Sequence, residues 1–84
     1  MNIKEVIALV EKYIADPKSV SQEELKTADA YVVAYADVYA AWYAADAAAI
    51  SAVAAAWSAV AAALHGDVDV AKLWVAEYHK SLSE

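Results

Sequence analysis

The stretch Tyr39-Ala-Ala-Trp42-Tyr43-Ala-Ala-Asp46-Ala-Ala-Ala-Ile50-Ser51-Ala-Val53-Ala-Ala-Ala-Trp57-Ser58-Ala-Val60-Ala-Ala-Ala-Leu64 decides how this chain folds. Asp46 is its only carboxylate or amine, and neither glycine nor proline interrupts it. Alanine, which loses no side-chain entropy in a helix, dominates the stretch and fills 23 of the 84 positions in the chain, so the stretch reads as helix. At 100° per residue, Leu25, Val32, Tyr35, Tyr39, Trp42, Tyr43, Ile50, Val53, Trp57, Val60 and Leu64 fall within one broad sector. From Ile50 onward they alternate three and four apart, the seam spacing of paired helices. The opposite side is alanine rather than charge, and a helix apolar all round must be surrounded.

Local chemistry marks where the neighbouring elements begin and end. Ser21 with Glu24 three residues on forms a capping box, flanked by Val20 and Leu25 as a hydrophobic staple, so the middle helix starts at Gln22. No glycine or proline follows until Gly66, which sits where a left-handed C-terminal cap belongs. The middle helix is therefore expected over about residues 22–65, and the forty-three residues to Leu64 at about 1.5 Å each give roughly 65 Å. A break near Asp46 to Ser51 is the alternative, although no residue there demands one. Upstream, Asn2 and Glu5 cap a first helix over about 3–15 with an apolar stripe of Ile3, Val6, Ile7, Val10, Tyr13 and Ile14, ended by Asp16-Pro17. Downstream, Asp67 and Asp69 favour a third helix over about 68–82, with Ala71, Trp74, Val75, Tyr78 and Leu82 as its stripe.

The expected fold is a single all-α domain over residues 1–84, two short amphipathic helices flanking one long alanine-rich central helix. The flanking helices reach only about 20 and 22 Å, so they leave part of the rod bare. Every copy bares the same patch. A helical homo-oligomer, a symmetric dimer or larger, is therefore expected, with Ala41, Ala45, Ala48, Ala52, Val53, Trp57, Val60 and Leu64 at the interface.

Composition narrows the functional classes. The chain has no cysteine, so disulfides, thiolate metal sites and thiol nucleophiles are absent. A net charge of −6 has the wrong sign for direct nucleic-acid binding. Residues 38–64 are long enough to span a bilayer, yet alanine gives little insertion energy, Asp46 would be costly there, and no lysine or arginine cluster flanks the run; no membrane role is expected. The amphipathic, mixed-charge N-terminus is unlike a secretory leader, which points to the cytoplasm. His65 and His79 match no ligand spacing, so neither metal nor cofactor is expected. No serine has a histidine at a helix-face spacing, and the lone Asp46 has no second carboxylate to assist it, so the chain does not read as an enzyme.

Two features point to ligands instead. Tyr31, Tyr35, Tyr39 and Trp42 form an aromatic ladder able to stack on planar rings, with Lys4, Lys12 and Lys26 as phosphate contacts. The plainer reading of the ladder is core packing. Asp46, one turn from Trp42, Tyr43 and Ile50, either fixes the register of facing helices or touches the ligand.

The run Tyr39-Ala-Ala-Trp42-Tyr43-Ala-Ala-Asp46-Ala-Ala-Ala, with Leu73-Trp74-Val75-Ala76-Glu77-Tyr78 downstream, resembles small Ala/Tyr/Trp-rich accessory proteins encoded by tailed bacteriophages. The resemblance covers about half of the chain and transfers no functional residue. It implies a non-enzymatic protein acting on host factors, defence systems among them. The expected function is an oligomeric binding protein that neutralises a host protein or sequesters a small signalling nucleotide. The alternative is a structural helical spacer or assembly protein without a ligand.

Overall fold

The computed structural model describes residues 2–42 and 47–83, with the side chains at 36–49 and at 83 outside that description. Among the described residues the chain forms four α-helices: α1 (Ile3–Ala15), α2 (Gln22–Trp42), α3 (Ala47–Leu64) and α4 (Val68–Ser83). A short 3-10 turn, Pro17–Ser19, joins the first two.

Polar devices mark the start of α1, the start of α2 and the turn from α3 to α4. The Asn2 Oδ1 accepts from the Glu5 amide at 2.9 Å and caps α1. Ser21 and Glu24 close the expected reciprocal box: the Ser21 Oγ accepts from the Glu24 amide at 3.1 Å, and the Glu24 carboxylate accepts from the Ser21 amide at 3.2 Å. Val20 and Leu25 are both buried beside it, as a staple requires. Gly66 takes φ of +74°, which lets its own amide reach the Ala63 carbonyl at 3.0 Å and the Asp67 amide reach the Ala62 carbonyl at 2.9 Å. Those two bonds are a Schellman cap. One residue later the Asp67 Oδ1 accepts from the Val70 amide at 3.1 Å and starts α4.

The middle of the chain departs from expectation. A continuous rod over 22–65 needs roughly 65 Å. The longest dimension of the whole molecule is 38 Å, and α2 packs against α3. Two helices stand where one was expected, with α2 ending at Trp42 and α3 beginning at Ala47. The physical reason is the cover that α3 requires. Standing alone in a rod, its alanine side would face water; folded back, it is enclosed by its own chain. Ala52, Val53, Ala55, Ala56, Ala59, Val60, Ala62 and Ala63 are all buried. Their small side chains let neighbouring helices approach toward the short end of the usual 8–10 Å separation.

α3 packs against each of the other three helices, α1 also touches α2 and α4, and α2 and α4 have no packing contact among the described residues. The architecture is thus a layer, α2–α3–α4, with α3 in the centre and α1 laid across one side. Val6, Ile7, Val10 and Tyr13 of α1 meet Leu25, Ala28 and Val32 of α2 and Ala71, Val75 and Tyr78 of α4 in one core. That core contains no buried polar or charged side chain among the described residues.

Candidate functional site

The described half of the aromatic ladder is packed rather than offered. Tyr31 and Tyr35 stack with ring centroids 5.7 Å apart and planes 27° from parallel, and both are half-buried against the core. Burial raises the Tyr31 hydroxyl pKa above its ordinary value, with Tyr35 and the Glu5 carboxylate adding to the rise. The Tyr31 hydroxyl is therefore within electrostatic reach of α1. Tyr39, Trp42 and Asp46 lie outside the described side chains.

The expected phosphate contacts do not converge. Lys12 lines a groove of about 620 Å³ between α1 and α2, together with Glu5, Ala8, Leu9, Ser21, Glu23, Glu24 and Thr27. Three carboxylates face one ammonium there, so the groove repels a phosphate rather than attracting it. Lys4 and Lys26 are exposed and are not among its lining residues. A smaller hollow of about 260 Å³ between α1 and α4 is lined by Glu11, Ile14, Ala15, Lys72 and Val75. At its edge the His79 Nε2 lies 3.9 Å from Glu11, both side chains about half exposed. Among the described residues no three metal-type ligands cluster, and no helix is long and apolar enough to cross a membrane.

The expected seam is largely internal. Ala52, Val53 and Val60 lie in the core of the single chain, where a facing copy cannot reach them without repacking the fold. Leu64 is half-buried, while Ala41, Ala45 and Ala48 fall outside the described side chains. Among the described members of the set, Trp57 alone is well exposed, at 45% of its surface.

Trp57 belongs to a different surface. The sides of α2 and α4 that look toward α1 are marked by their contacts: Glu24 and Thr27 in the first groove and Tyr31 near Glu5, then Lys72 and Val75 in the second hollow and His79 near Glu11. Val33 lies roughly 120° to 180° around α2 from its three markers, Val70 roughly 140° to 180° around α4 from its own, and Trp74 follows Val70 by one turn. On α3 the exposed Ile50, Ala54 and Trp57 occupy the arc left uncovered by its three neighbours. Val33, Ile50, Trp57, Val70 and Trp74, all exposed, thus share the face of the layer opposite α1. Sequence reasoning placed Trp74 and Leu82 in a buried stripe, whereas both are exposed. The signal for this face was present in the four-residue spacing of Val70 and Trp74, on the flank of α4 away from Val75.

Compared with known proteins, the chain matches no family model, no curated protein and no solved structure.

Proposed function

We propose that this chain is a non-enzymatic protein-binding module that works through the apolar face of its α2–α3–α4 layer rather than through a ligand cleft. The single observation that carries this reading is the set of five large apolar side chains, two of them tryptophans, exposed on that one face. Exposed apolar patches of more than a few hundred Å² mark interaction sites, and tryptophan is enriched where partners contribute most binding energy. A protein partner fits this surface. Sequestration of a nucleotide fits less well, because the groove that Lys12 lines holds three glutamates.

A photoreactive phenylalanine derivative at position 57, compared with one at the exposed Lys18, tests the proposal in bacterial cells. Protein adducts are expected from position 57 and not from position 18. Equal adducts from both positions, or none from either, contradict it. A panel of nucleotides should leave the melting temperature unchanged; a concentration-dependent rise with any of them would favour sequestration, since a ligand selective for the folded form must stabilise it.

A further inference from the structure

We infer that the occupant of this face is a second copy of the chain, joined in a symmetric dimer across the outward side of α3; the inference rests on the protein-binding reading above.

Charge is the first argument. The chain carries −6, so two copies repel over most of their surfaces. α3 contains no lysine, aspartate, glutamate or histidine, and Val33 on α2 with Val70 and Trp74 on α4 extends that uncharged zone onto both neighbouring helices. Asp29, one turn before Val33, and Glu77, three residues after Trp74, lie beside it on α2 and α4 and are both half-buried. This is a surface across which two identical acidic molecules meet without facing carboxylates at the centre.

Area is the second. Eighteen residues of α3 run about 27 Å, and three helices at 8–10 Å separations are about as wide, giving a footprint of about 700 Å². A stable interface takes about 800 Å² from each partner. The outline of the layer, within which the five apolar side chains lie, is therefore of the order that a dimer needs.

Shape is the third. Ala54 and the half-buried Ala61 flank Trp57 along α3, at −3 and +4, so the centre of the face is low and the indole stands above it. In a two-fold pair each Trp57 meets the shallow alanine stretch of the facing α3, the self-complementary arrangement that an isologous contact requires.

Light scattering on the full chain decides between outcomes. The wild-type protein is expected at twice the 9.0 kDa chain mass at high micromolar concentration. Trp57→Glu is expected at the single-chain mass at the same concentration with unchanged helical circular dichroism, since its side chain is exposed in the monomer. Should Trp57→Glu fail to fold, Ala54→Arg makes the same test from a second exposed position on α3. A wild-type dimer unaffected by either folded variant overturns the inference, because the copies then meet elsewhere. A wild-type protein at single-chain mass also overturns it. In that case an apolar fluorescent dye separates the two claims. Dye bound by the wild type and lost in Trp57→Glu leaves an open adhesive face for a foreign protein, whereas no dye binding to either brings down the protein-binding reading as well.

Discussion

Among the described residues Gly66 is the one whose backbone conformation only glycine adopts without strain, and its cost on substitution can be isolated. A methyl group built there would stand 3.9 Å from the Tyr13 hydroxyl, so space is not limiting. Gly66→Ala should therefore cost about 1–2 kcal/mol from the left-handed φ alone, read as a lowered urea midpoint at unchanged slope. An unchanged midpoint would mean that the turn does not use this cap. Tyr78 gives a second residue-scale prediction. Burial, then the Glu11 carboxylate, raise its hydroxyl pKa in the folded chain. The unfolded chain then loses the proton first, so the stabilising contribution is whole below about pH 10 and is lost as pH rises through the higher folded value. Urea titrations should show stability falling above about pH 10, less steeply in Tyr78→Phe. Equal slopes in the two proteins would assign the fall to other groups.

At the scale of the element, α3 separates what the sequence discloses from what it withholds. Helix starts and stops were legible because they are local: Asn2 with Glu5, Ser21 with Glu24 and Gly66 with Asp67 bond to backbone within a few residues. The requirement that the alanine-rich segment be surrounded was legible too, from its uniform apolarity. Its means of cover was not. Between Pro17 and Gly66 nothing of the kind that punctuates chains occurs, so local reading continues one helix through. The reversal follows from burying α3 against α1, α2 and α4, a gain that appears only when distant segments meet. The candidate site was correspondingly half visible: Trp57 was named, but as part of a seam whose Ala52, Val53 and Val60 turned out to be core. A paired substitution on α3 tests this assignment of faces. Ala59→Leu inserts three carbons into a fully buried position and should cost about 1–3 kcal/mol. Ala54→Leu, on the exposed side, should change stability by less than about 0.5 kcal/mol per chain at concentrations where the protein is monomeric. Similar costs at both positions, by thermal or urea unfolding, would contradict the burial pattern.

For the molecule as a whole, a chain of this size has a stability of only about 4–12 kcal/mol, so the core cannot spare a large side chain. Leu25→Ala, at a fully buried position where α2 meets the core, should remove about 2–5 kcal/mol and bring the domain near unfolding at room temperature. Compactness follows from the same packing: a radius of gyration of 12.1 Å matches the about 12 Å of a compact domain of this length. Folding back changes the basis for association. A rod too long for its companions no longer drives it; the uncovered face of a three-helix layer does. The exposed face and the inferred dimer both depend on α2 folding back along α3. Because the chain has no cysteine, spin labels at Lys26→Cys and His65→Cys report their separation directly, with unlabelled chain in excess to suppress signals between copies. A folded-back chain requires a distance within the 38 Å length of the molecule; a distance near 58 Å, about 1.5 Å for each of the intervening residues, would show one continuous helix and contradict the fold, the face and the inferred dimer together.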